Sequence, residues 1–178
     1  MTRSSWHGRS IYAVGHSTRP LSELIAMLES VGVRTLADVR TMPRSRTNPQ
    51  FNRETLPAKL KGHGIRYVHL AELGGLRRPR KGSVNAGWRN KSFRGYADHM
   101  RTREFERGLA RLKRATARGA VAFMCAEALR WRCHRSLIAD ALLVRGADVR
   151  HLVRAGKSEP HRLTPFARVK GRWLSYPP

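Results

Sequence analysis

Negative charge and cysteine are both scarce in this 178-residue chain, which has 12 acidic residues against 36 basic ones and only two cysteines. Two thiols cannot supply the disulfide framework of a small secreted domain, so free thiols in a reducing cytoplasm are expected. No apolar run approaches bilayer-spanning length, so no membrane association is expected. The opening MTRSSWHGRS lacks an apolar core, and no secretory signal is expected from it. No internal repeat or low-complexity tract interrupts the sequence. At 40% hydrophobic residues, the composition suits one ordinary globular domain that buries a core without staples.

The charge balance is +24, and 29 of the basic residues are arginine. Guanidinium groups bind phosphate in a forked geometry, so the excess points to a phosphate-bearing small molecule or to nucleic acid. The competing reading is a solvated, arginine-rich surface. Oligomeric state leaves no mark on the sequence.

Short apolar runs alternate with helically spaced ones. Ile11–Val14, 33–39, 65–70, 120–125 and 147–153 read as strands. Leu21, Leu24, Ile25, Leu28 and Val31 recur at helical spacing, as do Phe105, Leu109 and Leu112, and Leu137, Ile138, Ala141 and Leu142. Further helices are predicted over 53–61 and 93–100. Strands alternating with helices predict an α/β fold: a single three-layer sandwich with a mostly parallel, about five-stranded sheet and helices on both faces. The predicted boundaries are a flexible basic leader over 1–10, the α/β domain over 11–153, and an irregular tail over 154–178 packed on it. Residues 71–92 form a loop long enough to be functional or mobile.

In such folds ligands bind outside the carboxyl ends of the strands. Those ends carry His16 and Ser17; Arg40 and Ser45; His69, Gly74 and Gly75; and Cys125, Glu127, Cys133, His134 and Arg135. Cys125 is the candidate nucleophile, with Glu127 and His16 as acid or base. Cys133 begins a helix, where thiolate is favoured, and helps present Arg135. The spacing is not that of a Cys-x5-Arg phosphate loop, because Trp131 stands where the arginine would be. A buried, inert strand-end thiol is the competing reading of Cys125. Arg40, Ser45 and Arg135 are candidate anion ligands, and pairing of Arg135 with Asp38 or Glu127 is the alternative. Cys125 and Cys133 could also form a redox disulfide. No cofactor is expected; zinc on Cys125, Cys133 and His134 is the alternative, at a spacing unlike that of tight structural sites. In the long loop, Arg77, Arg78, Arg80, Lys81, Trp88 and Arg89 are candidate nucleic-acid contacts, with Trp88 stacking a base. Equally, Trp88 and Phe93 could pin the loop to the core.

Taken together, GHS at 15–17, DVRTMPRS at 38–45, NPQFN at 48–52, YVHLAELGG at 67–75, GWRNKSFRGYADHM at 87–100 and MCAEALRWRCHRSLIADAL at 124–142 resemble the domain of unknown function 488 family. His151 and HRLTPFA at 161–167 also fit. The resemblance implies an α/β sandwich and one shared site, without an activity, substrate or cofactor. The resulting expectation is a cytoplasmic enzyme acting on a phosphate-bearing substrate, with a non-catalytic nucleic-acid-binding module as the alternative.

Overall fold

The structure, a computed structural model, describes residues 6–178. The strands are β1 (Ser10–Gly15), β2 (Val33–Asp38), β3 (Arg66–His69), β4 (Ala120–Cys125), β5 (Asp148–Arg154), β6 (Lys157–Pro160), β7 (Arg168–Lys170) and β8 (Trp173–Ser175). The helices are α1 (Leu21–Ser30), α2 (Leu56–Lys61), α3 (Lys91–His99), α4 (Arg103–Ala115) and α5 (Arg135–Leu143). Six strands form one sheet in the order β3-β2-β4-β1-β5-β6, parallel except for β6, which runs antiparallel to β5.

Alternation along each strand sorts the core into two layers. Val14, Leu36, Ala122 and Met124 face one side and pack with Leu24 and Leu28 of α1 and Leu56 and Leu60 of α2. Ala13, Ala37, Val121 and Phe123 face the other side, against Phe105 and Leu112 of α4 and Leu137 and Ile138 of α5. Both faces are covered, which is why the strands read as nearly continuous apolar runs. The predicted α/β sandwich is therefore the observed one. Local signals set the helix starts. Thr102 accepts from the Phe105 amide and opens α4, while Asn90 accepts from the Ser92 and Phe93 amides and opens α3. Pro57 lies in the first turn of α2, where its missing N–H costs nothing.

Two expectations need correction. Residues 154–178 are not irregular: β6 extends the main sheet to a sixth strand, and β7 and β8 form a separate antiparallel pair. Residues 1–5 of the predicted leader lie outside the described residues, and the remainder of it is ordered. Trp6 is buried in the core and Ser10 already belongs to β1. The 71–92 loop has no long regular element, yet it is anchored. Asp98 accepts from the Arg80 amide at 2.8 Å, the Ser83 hydroxyl at 2.6 Å and the Asn85 amide at 2.7 Å. Among the described residues no helix is long and apolar enough to cross a membrane.

The strand order fixes where a crevice must open. From β1 and β2 the chain leaves toward the α1/α2 layer, whereas from β4, between them in the sheet, it leaves toward the α5 layer. Such a reversal of direction at neighbouring strand ends leaves a gap at their carboxyl edge. Cys125 ends β4 at this gap, in register with Gly15 of β1, and Asp38 of β2 is in register with Met124.

Candidate functional site

The carboxyl edge carries two polar clusters, one on each face of the sheet. Asp38 organises the cluster on the α1/α2 side. Its carboxylate accepts from Arg40 Nε at 2.9 Å, from Arg40 NH2 at 2.6 Å and from the Tyr67 hydroxyl at 2.5 Å. Arg40 also donates to the Phe51 carbonyl at 2.7 Å and lies 3.2 Å from His16 Nε2. His16 stacks on Phe51 at 4.3 Å, and its Nδ1 donates to the Ser17 carbonyl at 2.8 Å. Nε2 is then left as the acceptor for Arg40. Burial pulls the His16 pKa down; the Ser17 carbonyl opposes this, and the Arg40 charge reinforces it. The cluster is a neutral imidazole beside a buried, bidentate ion pair.

The cluster on the α5 side surrounds Cys125. Cys133 Sγ is 2.7 Å from Cys125 Sγ, and both are free thiols. Arg135 NH1 donates to Cys125 Sγ at 3.2 Å and to the Glu127 carbonyl at 3.0 Å, while NH2 donates to the Ala128 carbonyl at 3.1 Å. Arg135 Nε is buried without a partner. Burial by itself pushes the Cys125 thiol up. The Cys133 S–H donated to it and the Arg135 charge beside it more than reverse that, so Cys125 is held below the usual thiol range. Cys133, donating to that sulfur and buried, is pushed up. The arrangement thus favours the charged form at Cys125 and the protonated form at Cys133. The two sulfurs that the disulfide reading pairs thus lie side by side.

His134 closes this cluster. Its Nε2 donates to the Val39 carbonyl at 3.0 Å, leaving Nδ1 as an acceptor 3.6 Å from Cys133 Sγ. Burial lowers its pKa to about 4, so the ring is neutral at neutral pH. Gly75 packs against that ring, where an added Cβ would lie 3.1 Å from Nδ1. Gly15 is required more strictly. A Cβ there would fall 1.9 Å from the Glu127 carbonyl oxygen and 2.6 Å from Arg135 NH1. Only glycine lets the Glu127 carbonyl and the Arg135 guanidinium settle over β1 beside Cys125.

A cleft of about 330 Å³ opens over this cluster, lined in part by Cys125, Glu127, Cys133, His134, Arg132 and Phe93. Met42 and Leu76, both exposed, give it an apolar lip. Leu76 is held at φ 58, a left-handed conformation uncommon for leucine. The Glu127 carboxylate caps the Leu129 amide at 3.2 Å and faces solvent at the cleft wall.

The predicted site residues therefore separate. Cys125, Glu127, Cys133, His134, Arg135 and Gly75 gather on the α5 side of the sheet. His16 does not join Cys125: its ring lies in the other layer, held by Phe51, Ser17 and Arg40. The pairing of Arg135 with a carboxylate is replaced by pairing with Cys125 and two carbonyls, and Arg40 is committed to Asp38. Both guanidiniums are largely engaged within the chain, with Arg135 Nε the unpartnered nitrogen. Ser45 is spent within its own loop, where its amide donates to Asn52 at 2.7 Å and its hydroxyl accepts from the Asn48 amide at 3.0 Å. His69 Nε2 donates to the Arg40 carbonyl at 2.7 Å. Gly74 packs on Thr41, where a Cβ would lie 2.6 Å from the hydroxyl. Ser17 takes a left-handed φ of 50 and donates its amide to Ala126 at 2.9 Å.

In the long loop, Trp88 packs on Phe93 at 5.1 Å, Phe166 at 4.9 Å and Tyr176 at 5.5 Å, and so pins the loop to the core. Arg77 pairs with Glu104 at 3.2 Å, and the Arg78, Arg80, Lys81 and Arg89 side chains are solvated. Sequence reasoning passed over Arg132, the guanidinium that lines the cleft with no side-chain partner among the described residues. It also passed over Tyr67 and Asp98, whose partners are distant in sequence and leave no local signal. Among the described residues no group of three or more His, Cys, Asp or Glu side chains is arranged to hold a metal ion.

A parallel sheet with a cysteine pair at its switch point defines an α/β protein with a thiol centre. The family described as Domain of unknown function DUF488 matches residues 20–142, and the chain belongs to that family. The matched span runs from the start of α1 to the end of the Cys-His-Arg helix and includes every residue of the Cys125 cluster. No curated protein and no solved structure matches the chain.

Proposed function

We propose that the chain is an enzyme whose nucleophile is the Cys125 thiolate, acting on a small phosphate-bearing substrate in the cleft above it. One observation carries the reading: Cys125 Sγ receives both the Cys133 S–H, at 2.7 Å, and Arg135 NH1, at 3.2 Å. Two donors on one sulfur, inside a buried strand end, stabilise charge where an inert core cysteine would have none. In the step envisaged, Cys125 forms a bond to the electrophilic centre as the bond to the leaving group breaks. Glu127 at the cleft wall passes a proton to the departing group, and water then releases the covalent intermediate. Arg135 and Cys133 hold the sulfur rather than the substrate. Arg132, the uncommitted cation of the cleft, is the contact for the phosphate.

Alkylation of Cys125 in the reduced protein tests this reading, with inorganic phosphate as the competing anion. Phosphate is expected to slow alkylation by iodoacetamide several-fold in the native chain and to have no effect in Arg132→Gln. Equal rates with and without phosphate in the native chain would remove the anion from the proposal.

A further inference from the structure

A run of positive charge lies along α4, apart from the residues that line the thiol cleft. Arg103, Arg107, Arg111, Arg114 and Arg118 follow one another at intervals of four, four, three and four residues. That spacing places them in one stripe along α4 and the short 3-10 turn Thr116–Arg118 that continues it. On the opposite flank, Phe105, Leu109 and Leu112 are buried in the core, so the stripe is fixed on a rigid, well-packed element. Arg66 of the edge strand β3 faces the far end of the stripe. Together with Arg111, Arg114 and Arg118 it lines a groove of about 350 Å³ floored by Val68 and Leu70.

The nearby carboxylates do not neutralise this stripe. Glu104 is taken by Arg77 at 3.2 Å and Glu106 by Arg145 at 2.6 Å, both from outside the helix. Glu72 bonds Arg111, at 2.9 Å, and its charge also reaches Arg107. Arg66, Arg114 and Arg118 have no side-chain partner among the described residues. A solvated helix face ordinarily interleaves both signs so that neighbours pair, and this face carries one sign. From Arg107 to Arg118 the stripe runs about 16 Å at 1.5 Å per residue, a length over which one strand of a duplex carries about five phosphates. Among the described residues no aromatic side chain lines the groove to stack an unpaired base.

We propose that the arginine stripe of α4, with Arg66, is a binding surface for the phosphate backbone of duplex nucleic acid, engaged without reading base sequence. The contacts are charge-assisted, forked hydrogen bonds to phosphate oxygens, which fix position on a duplex without reading its sequence. The proposal does not rest on the thiol chemistry, and it moves the nucleic-acid contact from the 71–92 loop to α4 and β3.

Fluorescence anisotropy of a labelled duplex DNA of arbitrary sequence, titrated across a salt series, tests it. The groove variant replaces Arg66, Arg114 and Arg118 by Gln; a control of equal charge replaces Arg78, Arg80 and Lys81 by Gln. Each lost phosphate contact lowers the log–log salt slope by about 0.9, so the groove variant is expected to flatten it by about 2 to 3 and the control by less than about 1. A variant with Lys at 66, 114 and 118 retains the slope if the effect is charge and not misfolding, and Cys125→Ser binds as the native chain does. Equal flattening in both Gln variants, or a larger effect in the loop control, overturns the assignment. So does tighter binding to single-stranded DNA or to anionic vesicles than to the duplex.

Discussion

Asp38 takes three donors from two side chains in a fully buried position, and Arg40 spends its guanidinium on it. A buried pair of this kind contributes little net stability when intact, but removing one charge strands the other in a low-dielectric interior. Asp38→Asn is therefore expected to cost about 3–5 kcal/mol in urea unfolding, far more than an exposed substitution. A loss within a few tenths of that for a surface variant would show that Arg40 finds another partner. The sequence exposes the position of such residues but not their commitments. Asp38, Arg40 and Arg135 stand at strand ends, and the apolar runs before them say so. That Arg40 would turn back to Asp38, and Arg135 to a sulfur and two carbonyls, depends on which neighbours the crossover order brings alongside. Nothing local encodes that order.

Among the elements, β1 and β4 depend on each other through a single missing side chain. Gly15 leaves the space into which the Glu127 carbonyl descends after β4, and that carbonyl in turn receives Arg135 from α5. Gly15→Ala forces backbone against Cβ, a clash that rotamer changes cannot relieve. It is expected to destabilise the fold by about 3 kcal/mol or more and to slow Cys125 alkylation by displacing Arg135; wild-type unfolding and labelling would show that the β4–α5 connection yields freely. The alternation of elements was legible because both faces of the sheet are covered, so five parallel strands stand out as apolar runs. β6, β7 and β8 were not, since KSEP, RVK and WLS are short, mostly polar or exposed, and paired at the margins of the fold. The same holds for the 71–92 loop, whose order comes from Asp98 and from the Trp88 ring cluster rather than from periodicity.

Across the whole molecule, several histidines are built in as neutral groups. Burial lowers the pKa of His16, His99, His134 and His151, to about 4 for His134 and about 3 for His151. Above about pH 6.5 these rings are neutral in both the folded and unfolded chain and favour neither. As pH falls through 6.5 toward 4, the unfolded chain binds protons that the folded chain refuses, and stability is lost over that window. His134 alone accounts for roughly 3 kcal/mol at the acid end of it. Denaturant midpoints are expected to drop between about pH 7.5 and pH 5, and His134→Gln, which keeps a donor to the Val39 carbonyl, should make the drop shallower. A flat profile over this range would mean that the buried rings take up protons as readily as free histidine. The excess of basic charge adds to the same trend, because each further proton raises the self-repulsion of a chain already at +24.

If Cys133 and Arg135 hold Cys125 as a thiolate, the pH dependence of its alkylation reads that state out. Reduced protein is treated briefly with iodoacetamide across a pH series, and Cys125 and Cys133 are quantified separately by peptide mass. Cys125 is expected to react with a midpoint below the free-cysteine value of about 8.5, ahead of Cys133, and Arg135→Lys and Arg135→Gln should move that midpoint upward. A Cys125 midpoint at or above that of free cysteine, or Cys133 reacting first, would show that Cys125 is not held as a thiolate.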